Sequence, residues 1–133
     1  MNRVIKFRAK PFDKINFLYG DLIQIENKTY IFNDKDSYMK KEVPTATLGQ
    51  FTGVTDKNGI EIYEGDIVLV NFDKKHFEDK KLWVTFEDCA FIMLPIGTTS
   101  WKERKGHNSN FDIESYDIYE VIGTIHTTQN LIQ

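Results

Sequence analysis

Three histidines, one cysteine and several carboxylates are the side chains that could carry metal, nucleophilic or acid–base chemistry in this 133-residue chain. A metal centre needs ligands at short, repeated spacing. His76, His107 and His126 are far apart and none has a ligand-type partner at such spacing, so we expect no metal site and no cofactor. A nucleophilic thiolate needs a nearby base or cation. Cys89 instead leads into Ala90-Phe91-Ile92-Met93-Leu94, an apolar run that predicts a buried, inert thiol. Asp112, Glu114, Asp117 and Glu120 lie close in sequence. If strand spacing put them on one face, they could hold a divalent ion or exchange a proton. The simpler reading is a solvated rim on a mildly acidic chain. Glu64-Gly65-Asp66 reads as turn chemistry, with Asp66 accepting hydrogen bonds from backbone amides. Gly49, Gly53, Gly59 and Gly65 suit turns and strand ends better than a phosphate cradle. No catalytic constellation is visible, and the expectation is a protein that is not an enzyme.

Binding chemistry is better represented. Trp101-Lys102-Glu103-Arg104-Lys105-Gly106-His107 places an aromatic beside three cations. Lys102, Arg104 and Lys105 could neutralise phosphates while the Trp101 ring stacks on a base. Lys40 and Lys41 complete the candidate nucleic-acid set. The competing reading is an ordinary solvated loop. Lys6, Arg8, Lys10, Lys74, Lys75, Lys80 and Lys81 add charge, but Glu42, Asp73, Glu78 and Asp79 interrupt it, so no single basic face is legible. With no recognition helix in view, single strands are a better match than duplex. Phe12, Phe17, Tyr19 and Tyr30 would contact a protein partner if they were exposed, although aromatics at strand spacing more often pack inward. Pairing of edge strands would make a homo-oligomer.

The elements that must position these groups are strands. Val4–Arg8 reads as a first strand, and Phe17-Leu18-Tyr19 as one that stops at Gly20-Asp21. Leu22–Glu26 and Thr29–Phe32 flank an Asn27-Lys28 hairpin loop. Residues 33–41 are polar and form a connection. Asp56-Lys57-Asn58-Gly59, with its Asn-Gly pair, predicts a tight turn into Ile60-Glu61-Ile62, and the apolar run Ile67–Val70 a strand covered on both faces. Leu82, Val84 and Phe86 alternate to one face, Glu87-Asp88 turns the chain, and Gly123 marks a corner in the last strand region, Ile118–His126. The expected core is Ile62, Ile67, Val68, Val70, Val84, Phe86, Ile92, Val121, Ile122 and Ile125.

The architecture implied is mainly β, one domain with at most one or two short helices. Residues 1–45 form a small strand-rich lobe, and residues 46–133 a curled, SH3-like partial barrel. The formal charge of -3 supplies no global field for nucleic acid or membrane. No apolar leader opens the chain, and Cys89–Leu94 is too short to cross a bilayer. A lone cysteine suits a reducing compartment. The location expected is the cytoplasm.

The block from Gln50 to Val68, running through Thr52-Gly53-Val54-Thr55-Asp56-Lys57-Asn58-Gly59 and Tyr63-Glu64-Gly65-Asp66, resembles the central block of the YopX family. Ile5-Lys6-Phe7-Arg8-Ala9 is similar to the family's opening strand, and Tyr119–His126 to its last. The chain departs from the pattern at Thr124, where an Asn is usual. It departs again at Thr127-Thr128-Gln129-Asn130-Leu131, which replaces a Glu-Asn-Pro-Glu-Leu ending. The resemblance implies a mainly β fold and an origin in phages or prophages of Gram-positive bacteria, hence a host bacterial cytoplasm. It carries no catalytic residues and no established activity. Together with the residues, it implies an accessory protein that binds a macromolecule, either nucleic acid or a host or phage protein.

Overall fold

The structure, a computed structural model, describes residues 4–33, 40–70, 80–97 and 119–127. The protein is mainly β, with a curled half-barrel sheet plus a second sheet. The chain divides into two compact units, Met1–Gly53 and Val54–Gln133.

In the first unit, β1 (Phe7–Ala9), β2 (Leu18–Ile25), β3 (Lys28–Phe32) and β4 (Lys41–Val43) run as an antiparallel succession. Pro44 leads into a single 3₁₀ turn, Thr45–Thr47, and then into β5 (Gly49–Thr55), which pairs with the other edge of β1. Period-two alternation decides which side is core. Thr29 and Ile31 are buried while Lys28 and Tyr30 are not, so β3 turns one face inward. Ala9, Ile31 and Val43 form the core there, with Phe7, Leu18 and Leu48 packed around them. Thr47 fastens the turn beneath. Its hydroxyl donates to the Pro44 carbonyl at 2.9 Å and accepts from the Lys10 amide at 3.0 Å.

Three expectations for this unit differ from the structure. Gly20 does not end a strand, because β2 runs straight through it. Its role is close approach: a Cβ there would overlap the backbone carbonyl of Phe32. The β2–β3 turn is Glu26-Asn27, both at positive φ, one residue ahead of the expected Asn27-Lys28. That is the twist a two-residue hairpin loop demands. The first strand also starts later than expected, leaving Val4 and Ile5 exposed. The connection expected at residues 33–41 lies mostly outside the described residues, and Lys41 already belongs to β4.

In the second unit, β6 (Glu61–Tyr63) follows β5, and β7 (Asp66–Val70), β8 (Lys80–Glu87), β9 (Ala90–Pro95) and β10 (Tyr119–Thr124) make a four-stranded sheet in the order β10-β7-β8-β9. Ile62, Val68, Val70, Leu82, Val84, Met93 and Tyr119 form its core. Each contributes roughly 1.5–3 kcal/mol on removal from water. Ile67 and Ile92 are buried as expected. Val121, Ile122 and Ile125 are only half-buried; the β10–β7 register slips between Val121 and Gly123 and leaves Ile122 as an extra residue, and Ile125 lies beyond the end of β10. The mid-strand glycine therefore does mark a bend.

Phe86 is not core. It is 51% exposed near the β8–β9 turn, where it meets the Phe91 ring edge-to-face at 5.0 Å. Cys89 is exposed, not buried. It shares the turn with Asp88, both at positive φ, and the apolar run buries its first side chain only at Ile92, three residues later. The turn expected at Asp56-Lys57-Asn58-Gly59 is present. The Gly59 amide bonds the Asp56 carbonyl at 3.0 Å, the Asp56 amide bonds the Ile60 carbonyl at 2.7 Å, and only Gly59 has positive φ. This is a three-residue loop built on a type I turn.

Candidate functional site

Alternation that buries one face of the first unit's sheet must present the other. Arg8 and Tyr19 are paired across β1 and β2, and Asp21↔Phe32, Ile23↔Tyr30 and Ile25↔Lys28 across β2 and β3. Tyr30 pairs with Glu42 on β4, and Arg8 with Gly49 on β5. Residues directly opposite share a side, so all of these lie on the face opposite Ala9, Ile31 and Val43.

Cations and rings meet repeatedly on this face. The Lys6 ammonium lies 5.1 Å from the centre of the Phe51 ring, and the Phe51 amide bonds the Lys6 carbonyl at 2.9 Å. The Arg8 guanidinium lies 4.4 Å from the Phe17 ring, and the Lys40 ammonium 5.2 Å from the Tyr30 ring. A cation over an aromatic face is attracted by the ring quadrupole. Tyr19 and Ile25 are about half exposed, and Lys28 and Lys40 are exposed, while Arg8 and Phe51 are buried beneath. The face thus offers flat apolar surface edged by positive charge, with Asp21 and Glu42 as its acids. A hollow of about 330 Å³ opens beside the β2–β3 turn, lined by Gln24, Glu26, Asn27, Lys28, Thr29 and Thr45.

The sequence reading found no basic face here because Lys6, Arg8, Lys28 and Lys40 are dispersed along the chain. The alternation of Lys6 with Arg8, and of Lys28 with Tyr30 and Phe32, was the available signal. Lys40 and Lys41, taken together from sequence, separate. Lys41 sits opposite Ile31, on the inward side, and pairs with Asp13 at 3.1 Å. Its hydrogen bond to Asp13 is the main reason that carboxyl is held below its ordinary range. Trp101, Lys102, Arg104 and Lys105 lie outside the described residues, as do His76, His107, Asp112, Glu114 and Asp117. Phe12 and Tyr19 are exposed, Phe17 and Tyr30 half-buried.

The buried carboxylates of the second unit have structural tasks. Asp66 accepts from the Tyr63 amide at 2.8 Å, as its place in the turn predicts. Asp56, expected only as the first residue of its turn, does more. One oxygen accepts from the amides of Asn58 and Ile60, at 2.8 and 2.9 Å, and the other from Val121 at 2.9 Å. With Lys57 donating its amide to the Tyr119 carbonyl and its ammonium paired with Glu120, the turn is tied to β10. Glu120 is thereby part of this anchor. Among the described residues, no three of His, Cys, Asp and Glu stand together to hold a metal ion. Among the described residues, no helix is long and apolar enough to cross a membrane.

A family model described as "YopX protein" matches residues 6–133. Protein EF1440 from Enterococcus faecalis, a solved crystal structure, resembles this chain with a TM-score of 0.53 at 23% sequence identity, covering 99% of this chain and 100% of that one. At that identity the likeness is one of fold. No curated protein matches the chain.

Proposed function

The chain belongs to the YopX family, and we propose that it is a non-enzymatic macromolecule-binding module, an accessory protein of a phage or prophage acting in the bacterial cytoplasm. The observation that carries this reading is the outward sheet face of the first unit, where Tyr19, Ile25, Lys28 and Lys40 stand exposed around Tyr30 and Phe32. A face of this kind loses unfavourable hydration when a partner covers it and steers that partner by charge. The buried carboxylates Asp56 and Asp66 are engaged by backbone amides.

The test compares the wild type with an Ile25→Glu/Lys40→Glu variant, both immobilised and exposed to bacterial lysate before and after nuclease treatment. Both substitutions are at exposed positions, so the variant should keep its melting temperature. A protein or nucleic acid retained by the wild type and lost from the variant is the expected result. Retention of nothing, or equal retention by both, would defeat the reading.

A further inference from the structure

We propose that the outward face of β2–β4 is a stacking platform for single-stranded nucleic acid; the inference rests on the binding-module reading and supplies its partner class. Its first support is how charge divides between the units. Met1–Gly53 carries nine Lys and Arg against six Asp and Glu, a formal +3. Val54–Gln133 carries eight against fourteen, a formal -6, and together these make the net -3 of the chain. A weakly acidic protein thus conceals a basic unit, and a polyanion is drawn to that unit.

The second support is the repeat of the face. Single-stranded nucleic acid is a series of flat rings, each with one anionic charge, and proteins hold it with aromatic planes and cations together. On this face Lys28, Tyr30 and Phe32 occupy alternate positions of one strand. Lys6 stands over Phe51, Arg8 over Phe17 and Lys40 over Tyr30. Successive same-face positions are about 7 Å apart along a strand, comparable with the step of an extended polynucleotide. An acidic protein segment would satisfy the cations but would not need the accessible rings of Tyr19, Tyr30 and Phe32 side by side on one sheet face. The acids Asp21 and Glu42 would repel phosphates, so the strand's backbone is expected to run past Lys28 and Lys40 with its bases over Tyr19, Tyr30 and Phe32.

The experiment is fluorescence anisotropy of labelled oligothymidylate and oligouridylate, about 16 nucleotides long, and of a duplex, titrated with the full chain between about 50 and 200 mM salt. Saturable single-strand binding that weakens with salt and exceeds duplex binding is expected. Lys28→Glu/Lys40→Glu should lower affinity on the order of tenfold and flatten the salt slope by about 1.4, the value for two lost phosphate contacts. Tyr19→Leu should weaken binding roughly tenfold without changing the slope, since it removes a plane and no charge. Asp21→Asn should tighten binding. Each variant is compared at matched melting temperature.

Absence of saturable binding at the lowest salt overturns the proposal. So does full affinity in Lys28→Glu/Lys40→Glu, including the case where Lys102→Glu/Arg104→Glu/Lys105→Glu abolishes binding instead. If oligonucleotides fail while the lysate experiment yields a nuclease-resistant protein partner lost from its variant, only the nucleic-acid assignment falls and the binding-module reading stands.

Discussion

Asp56 shows how much one side chain can organise. Its carboxylate closes its own turn through two amides and reaches 65 residues along the chain to hold Val121. Hydrogen bonds to an ionised acceptor are worth more than neutral ones, and a buried amide left without a partner is costly. Asp56→Ala should therefore lower the unfolding free energy by about 3 kcal/mol, and Asp56→Asn by roughly half as much. Urea unfolding read at constant m-value measures both; losses under half a kcal/mol would show that the turn holds without its carboxylate. Asp13 behaves differently because it is exposed. Lys41 lowers its folded pKa, so the pair's stabilisation is present above the unfolded value and is lost as pH falls through the folded one. In water such a pair contributes little to stability, but its titration is readable. Lys41→Met should move the Asp13 carboxyl midpoint upward in an NMR pH titration, and an unmoved midpoint would discount the contact.

At the scale of elements, two glycines serve distinct purposes. Gly20 sits inside β2 because the neighbouring strand's Phe32 carbonyl occupies the place of a side chain. Gly20→Ala must displace backbone, and should cost on the order of 2–3 kcal/mol, with the loss of β2–β3 amide protection in hydrogen exchange as a local signature. Gly65 has a φ of 88°, donates its amide to Val84 and accepts from Ile125, and lies under His126. A side chain there meets both backbone strain and the imidazole at 3.1 Å. Gly65→Ala should cost about 1–3 kcal/mol, and adding His126→Ala should recover only the steric share. Thermal melts of the two variants test this; full recovery would mean that strain at residue 65 is negligible.

For the whole molecule, stability rests on small cores. Domains of this size are stable by only about 5–15 kcal/mol. Val68 is fully buried in the second unit's core, and Val68→Asp would bury an unpaired charge. The expected result is loss of the cooperative transition in circular dichroism, a cost above about 4 kcal/mol. A retained melt would contradict the central place of β7. The opposite charges of the two units imply that salt should affect ligand capture by the basic unit more than it affects folding, since long-range attraction is screened while packed cores are not.

Much of this was legible from residue order. The mainly β class, the burial of Ile62, Ile67, Val68, Val70, Val84 and Ile92, the turn at Glu64-Gly65-Asp66 and the bend at Gly123 follow from periodicity and turn chemistry, which are local, and the family from the resemblance of the Gln50–Val68 block. Near turns the same rules fail. Phe86 keeps the alternation of Leu82 and Val84 yet runs beyond the edge of the core, and Cys89 adjoins an apolar run yet occupies the turn itself. Gly20 looked like punctuation because the carbonyl that requires it belongs to another strand. Alternation within each strand hinted at the basic aromatic face, but its assembly could not be read from the chain, since Lys6, Arg8, Lys28 and Lys40 come to one face only through cross-strand register. Asp56 and Val121 likewise meet only after the sheet has formed. Periodicity assigns each residue a side of its strand, and pairing alone decides which strands lie next to one another.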